Sequence, residues 1–378
     1  LIISRGYPTK KYKLNGIFEF DQAKALTDTG NKVVYACIDM RSIRRIRKLG
    51  YESFLKDNVQ VEAINIPCGR IPKVILNKIS VFALKKLYGK IIKKYGKPDI
   101  IHAHFIHIAY AAAKVLSGKN IPLVVTEHYS AMNENALSPY YLKLGSYTYE
   151  KFDKVLAVSS YLADNIKNKF NVQVTVIANI VDTSYFNYKN KNRDDGSFSF
   201  VSTGNLNINK RMHLLITAFY NGFKEEKNVK LYIFGDGPER NNLQKMISEL
   251  KLQDKVYLMG LKSRKEIAVK LAESDCFVLA SKHETFGVSY IEAMAVGLPV
   301  IATKCGGPED FVSGENGILV NTDNIDELTE AMKTIFRNID KYHRYKISSE
   351  IKNKYSPKNI ADKLEAIYND IIKEDLNQ

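Results

Sequence analysis

Apolar residues follow two rhythms along this chain. Short runs of Val, Ile, Leu and Ala alternate with longer stretches whose apolar positions recur at helical spacing. In the first half the short runs predict strands at Leu1–Ser4, Lys32–Ile38, Val61–Ile66, Ile100–Ala103, Leu123–Thr126, Val155–Val158 and Val174–Ile177. Helix patterns such as Phe18–Thr29 and Ser80–Tyr95 lie between them. Strands apolar throughout, separated by amphipathic helices, imply a parallel sheet covered on both faces.

The rhythm breaks at Ala178–Phe186 and gives way to the polar run "NYKNKNRDDG", which predicts a linker. It then restarts, with strands expected at Phe198–Thr203, Leu231–Gly235, Val256–Met259, Cys276–Ala280, Pro299–Ala302 and Ile318–Val320. The expected fold class is α/β: two Rossmann-like doubly wound parallel-sheet domains, residues 1–182 and 183–355, facing across a cleft. Open sheets of this kind bind ligands outside the carboxyl ends of their strands. Ser356 and Pro357 suit the N-cap and first turn of a closing helix, 356–378, expected to cross back to the first domain. Neither half carries Gly-x-Gly-x-x-Gly, which argues against a dinucleotide-dependent dehydrogenase.

Composition narrows the setting. With 45% hydrophobic and 26% charged residues, the chain is far from disorder. Its four cysteines, at 37, 68, 276 and 305, lack the spacing of a zinc site or a dithiol switch. No leader-like start and no apolar stretch of about 18 residues is present, so a cytoplasmic location is expected. The net charge of +15 sits almost wholly in residues 1–182, which hold 28 Lys and Arg against 14 Asp and Glu. That half is expected to meet something anionic.

The most informative segment is "ASKHETFGVSYIEAMAVGLPVIATKCGGPEDF", Ala280 to Phe311. A strand ends near Ser281, a loop carries Glu284, and a helix starts near Gly287 and runs through Ala295. Glu284 then precedes the helix and Glu292 lies inside it, so the two carboxylates can touch two ends of one ligand. The backbone amides of Phe286, Gly287 and Val288 become free donors at a helix N-terminus, where phosphate binds readily. A ribose diol suits Glu292 as a bidentate acceptor; a sugar hydroxyl suits Glu284.

This segment resembles the donor-site signature of the retaining glycosyltransferase family 4, which has the GT-B fold. "VSTGNLNINKRMHLLITAF" resembles the family's strand–loop–helix with a phosphate-binding lysine, here Lys210. "LYIFGDGPERNNLQKMISELKLQDKVYLMG" resembles the next unit, and "YPTKKYKLNGIFEFDQAKAL", "PDIIHAHF" and "VVTEHYS" resemble the acceptor domain. The resemblance implies that Glu292 holds the ribose, and that Glu284 with the amides of Phe286 and Gly287 holds the transferred sugar and β-phosphate. Lys210 then neutralises the diphosphate, and the turn Gly260–Leu261–Lys262–Ser263 frames the base. Gly16 approaches the diphosphate from the first domain, and His128 sits beside the reacting sugar. Glu284, His128 and Lys210 form the implied catalytic set.

The first-half loop departs from the pattern in having Asn15–Gly16 rather than two glycines, and two positions of the donor-side loop depart from it as well. Asn205 follows Gly204 where many members carry arginine, and Arg211 follows Lys210 where glycine is common, which makes Arg211 the candidate second cation. No Asp-x-Asp occurs, so the usual carboxylates for a diphosphate-bound metal are missing; metal-independent, cofactor-free chemistry is expected. His102 and His104 share one strand face, but no neighbouring carboxylate or cysteine in the sequence completes a metal site, and none is assigned.

The implied function is transfer, with retention, of a hexose or N-acetylhexosamine from a nucleotide-sugar (a UDP-sugar) to a glycan or lipid-linked oligosaccharide acceptor. Bacterial surface polysaccharide or glycoconjugate biosynthesis would use it. A catalytically silent GT-B subunit scaffolding a partner transferase is the alternative, favoured by Asn205 alone. The basic stretches Arg41–Gly50 and Lys78–Lys97 suit an anionic membrane surface, and hence a peripheral location at the inner face of the cytoplasmic membrane. No nucleic-acid module is present, so nucleic acid is not an expected partner.

Overall fold

The computed structural model describes residues 1–134, 136–189 and 196–376, so the part of the expected linker at 190–195 lies outside the described residues. The chain forms two compact units, Leu1–Ile180 with Pro357–Gln378, and Val181–Ser356.

Unit 1 is built on eight strands: β1 (Ile2–Ser4), β2 (Val34–Asp39), β3 (Gly50–Lys56), β4 (Val59–Asn65), β5 (Ile101–His104), β6 (Leu123–Glu127), β7 (Lys154–Ala157) and β8 (Val174–Val176). They lie in the order β3-β4-β2-β1-β5-β6-β7-β8. Its helices are α1 (Ile17–Asp28), α2 (Lys73–Tyr95), α3 (Ile106–Leu116), α4 (Pro139–Tyr149) and α5 (Ser160–Phe170). All pairings are parallel except β3 with β4, so the sheet is mixed rather than wholly parallel. β3 escapes the apolar-run criterion because it is an edge strand whose residues are exposed or half-buried. Asp57 and Asn58, at φ 47° and 62°, make the two-residue turn that its antiparallel pairing requires. Helix α2 likewise begins before the Ser80 that periodicity indicates, because Val74 and Ile75 in its first turn face solvent.

The core of unit 1 packs Ile2, Tyr35, Cys37, Val61 and Ala63 beneath α1 and the C-terminal helix Pro357–Leu376. That helix contributes Ile360, Ala361 and Leu364, all fully buried, and full burial of a side chain such as Leu364 stabilises by about 1.5–3 kcal/mol. Its Glu365 carboxylate accepts from Thr29 at 2.5 Å and from Asn31 at 2.6 Å.

Unit 2 holds β9 (Phe198–Thr203), β10 (Val229–Phe234), β11 (Val256–Gly260), β12 (Cys276–Leu279), β13 (Val300–Thr303) and β14 (Gly317–Val320), ordered β11-β10-β9-β12-β13-β14 and parallel throughout. Its helices include α6 (Met212–Phe223), α7 (Arg240–Glu249), α8 (Arg264–Glu273) and α9 (Val288–Ala295). The strand order reverses between β9 and β12. At such a switch point the loops leaving the two strands diverge and open a ligand crevice.

Candidate functional site

Both loops at the switch point carry candidate residues. The loop after β9 runs through Gly204 and Asn205 into a short 3-10 turn, Ile208–Lys210, whose Lys210 N–H donates to the Asn207 side chain at 3.2 Å. Arg211, at φ 51°, turns the chain into α6. The Lys210 stem lies over Gly204, where a Cβ would meet its carbons at 3.5 Å. Gly235 closes the loop from β10: at φ 134° its Cβ would stand 1.8 Å from the Gly204 carbonyl oxygen, so only glycine fits.

The loop after β12 holds Glu284. Its N–H donates to Cys305 O at 3.0 Å and its carbonyl accepts from Gly307 N at 3.1 Å, which fixes the segment as an extra parallel bridge beside Gly306. Gly307 has no room for a side chain, since a Cβ would lie 2.3 Å from Phe286 O. The two switch-point loops are tied together: Lys282 N–H donates to Asn209 O at 2.8 Å, and the Asn209 amide donates to His283 O at 3.0 Å. The Lys210 ammonium thereby meets the Glu284 carboxylate at 2.5 Å, and the Ser281 hydroxyl donates to the same oxygen at 2.7 Å.

Beyond Glu284, Phe286 is buried against Phe311 and Tyr355. Gly287 adopts φ 97°, and α9 begins at Val288. In the first turn of α9 the Tyr290 N–H donates back to Gly287 O at 3.0 Å, so the Val288 and Ser289 amides are the donors without an acceptor within the helix. Tyr290 anchors the helix by donating to Leu279 O at 2.8 Å.

Glu292, within α9, is 13% exposed and faces the Arg264 guanidinium at 3.7 Å; Arg264 also lies 3.9 Å from Asp182. Sequence reasoning missed Arg264. Its local signal is the Ser263–Glu266 capping box, which starts α8 with Arg264 as its first residue. Gly260, at φ 71°, accepts from Gly235 N–H at 2.9 Å, while Leu261 and Lys262 are exposed. Arg211 is not brought to Glu284: its guanidinium pairs with Asp323 at 3.2 Å. Asn205 is exposed, its amide oxygen against Gly237.

Gly16 and His128 belong to unit 1. Gly16, at φ 65°, precedes α1; a Cβ there would stand 2.1 Å from Gly6 O, so packing alone demands glycine. His128 follows β6 and is buried, its Nε2 3.1 Å from His104 Nδ1. His104 stacks on His102, whose ring nitrogens bond Tyr368 at 2.5 Å and Thr126 at 2.7 Å. Burial holds all three imidazoles below the usual histidine range, His104 at about 3, so they are neutral at pH 7. Glu127, also unforeseen, is buried and accepts from His128 N–H at 2.9 Å, Tyr129 N–H at 2.8 Å, Ile106 N–H at 3.0 Å and Tyr149 at 2.8 Å. Among the described residues, no group of three or more His, Cys, Asp or Glu is placed to hold a metal ion.

Two Rossmann-like α/β units, the second with its tied loop pair at a switch point, define a class of proteins that the chain's relatives identify. Residues 186–352 match the family described as Glycosyl transferases group 1, and residues 20–185 the one described as Glycosyltransferase Family 4. The chain belongs to these glycosyltransferases. It is 26% identical over 331 residues to the N-acetyl-alpha-D-glucosaminyl L-malate synthase of Bacillus anthracis, covering 81% of this chain and 85% of that protein. Among solved structures, sucrose-phosphate synthase from Thermosynechococcus elongatus matches with a TM-score of 0.80 at 17% identity, over 99% of this chain and 98% of that one. The Anabaena protein HepE, solved with UDP and glucose, matches at 0.73 and 18% identity, over 98% of each chain. The fold is GT-B.

Proposed function

We propose that this glycosyltransferase moves a hexose or N-acetylhexosamine, with retention and without a metal, from a UDP-sugar to a glycan or lipid-linked acceptor. Surface polysaccharide or glycoconjugate assembly at the inner membrane face is the setting proposed. The observation that carries the reading is the Lys210–Glu284 contact at 2.5 Å, held where two loops cross at the switch point of unit 2. As the anomeric C–O bond breaks, negative charge grows on the β-phosphate; Lys210 and the α9 amides meet it already in place. Glu284 accepts from hydroxyls of the transferred sugar. Glu292 holds the ribose, its carboxylate oriented by Arg264, and the Gly260–Ser263 turn frames the base. Arg211 reaches the diphosphate only by giving up Asp323.

The acceptor oxygen bonds the anomeric carbon on the face the diphosphate leaves, and the acceptor proton passes to the departing phosphate oxygen. No protein nucleophile is required. Gly16 and His128 are assigned to diphosphate and sugar by family resemblance. The test is turnover in excess EDTA with the product anomer read by NMR. An α-linked product from an α-linked donor, at undiminished rate, is expected; complete loss of activity or an inverted product overturns the reading. Asn205 favours a second reading, a silent subunit, which would release no nucleoside diphosphate.

A further inference from the structure

Residues 1–18, 40–51 and 63–98 contain no Asp or Glu. In unit 1 these spans supply the loops that leave the carboxyl ends of β1, β2 and β4, and the loops touch. The Arg41 and Arg45 guanidinium groups lie over the Tyr12 ring at 4.8 and 5.2 Å, and Cys68 N–H donates to Arg41 O at 3.2 Å. Two of the cations are structural: Arg41 and Arg47 pair with buried Asp39 at 2.5 and 3.3 Å and pin the base of the 40–49 loop. Lys10, Lys11, Lys13, Arg44, Arg45 and Lys48 are exposed. Interleaved with them, Leu14 is 67% exposed, Ile43 71%, Ile46 74% and Leu49 54%.

Large apolar side chains scattered singly over a surface carry no message, but several grouped on one surface mark a binding face. We propose that this loop surface of unit 1 docks on an anionic lipid bilayer, with the cations on lipid phosphates and Ile43 and Ile46 inserted at the headgroup–acyl boundary. The proposal deepens the reading of a membrane-presented acceptor and rests on it for its purpose. Of the two basic stretches that the sequence offers, it places the docking on Arg41–Gly50 rather than on Lys78–Lys97. On α2, Lys94 is paired with Glu62 at 3.0 Å and Lys90 lies over the Tyr51 ring at 4.5 Å. Its first turn, with Val74 and Ile75 exposed, follows the β4 loop directly, while Phe82, Lys85 and Lys86 are exposed farther along the helix. A soluble polyanion would engage the cations and leave the isoleucines without a partner, so the interleaving favours a bilayer.

The experiment is co-sedimentation of the full chain with vesicles of phosphatidylglycerol and phosphatidylcholine, and with phosphatidylcholine alone, at low and high salt. Wild type is expected to pellet with the mixed vesicles at low salt and to stay in solution with phosphatidylcholine alone. Each exposed cation is worth about five-fold in partition, so Arg44→Gln/Arg45→Gln/Lys48→Gln is expected to lose on the order of 100-fold. Ile43→Ser/Ile46→Ser is expected to lose about ten-fold, and Lys85→Gln/Lys86→Gln on α2 less than about five-fold, against the roughly 25-fold that two docking cations would cost. Wild type left in the supernatant overturns the proposal. So does Ile43→Ser/Ile46→Ser sedimenting like wild type while soluble polyphosphate strips both from the vesicles, which would assign the face to a soluble polyanion. Vesicle binding is read without donor or acceptor, so its failure leaves the donor-site reading standing, and an inactive enzyme leaves this one standing.

Discussion

The two units treat polar side chains in opposite ways. In unit 2 the two switch-point loops are bonded to each other through their side chains and backbone: Lys210 to Glu284, Ser281 to Glu284, Asn209 to the backbone of Lys282 and His283. In unit 1 the three-histidine cluster is deeply buried, while the exposed loops after β1, β2 and β4 are rich in cations and free of acids. A diphosphate leaving group is the same for many donors, and a preorganised pocket serves it without reorganisation. Acceptors differ, and loops on a fixed scaffold are where such differences are accommodated. The charge follows the same division. The first 182 residues carry 28 basic against 14 acidic residues, and the remainder 28 against 27.

The largest effect is expected where unit 2 is most tightly organised. Lys210→Ala removes the cation proposed to face the departing phosphate and should lower kcat/KM by about 10²–10³-fold, measured under conditions where the fold is unchanged by circular dichroism. A loss under ten-fold would place the diphosphate elsewhere.

Next in size are the glycines that each unit uses to bring backbones together. Gly235→Ala in unit 2 and Gly16→Ala in unit 1 each force a Cβ against a carbonyl oxygen, at 1.8 and 2.1 Å, from a positive φ. Each should cost about 3 kcal/mol in denaturant titrations. If Gly16→Ala proves neutral while Gly235→Ala does not, the unit 1 loop is softer than its packing indicates.

The smallest effect concerns protons. Burial lowers the pKa of His102, His104 and His128 in unit 1, so in the folded protein their imidazole signals should not titrate between pH 7.5 and 5 by NMR. The unfolded chain protonates histidine near 6.5. The stability these groups allow is therefore full above about that pH and is lost progressively as pH falls toward the folded value of about 3 for His104. Glu19 and Glu127, raised by burial, work in the opposite sense and soften the slope. A titration midpoint near 6 for any of the three imidazoles would show that the cluster is open to water.

Much of this was legible in the chain because buried parallel strands are apolar throughout and helix ends have local signatures. The Glu284 loop, the onset of α9 and the start of the C-terminal helix at Pro357 are all short-range features. What the sequence hid is relational. β3 pairs at an edge and needs no apolar run, and α2 starts with apolar residues that face solvent. Arg264 and Glu292 meet only because α8 and α9 are neighbours, and nothing in the spacing of 264 and 292 announces it. Glu127 reads as an ordinary acid at a strand end until its four donors are seen. Arg211, a candidate for the diphosphate by position, is turned to Asp323 in the fold.

The most direct test of the donor grip is calorimetric titration of UDP into wild type, Glu292→Ala and Glu284→Ala. Glu292→Ala should bind UDP at least ten-fold more weakly through loss of its charged hydrogen bonds to the ribose, while Glu284→Ala binds as wild type does and transfers no sugar. Equal UDP affinity in wild type and Glu292→Ala would contradict the assignment of the ribose to this helix.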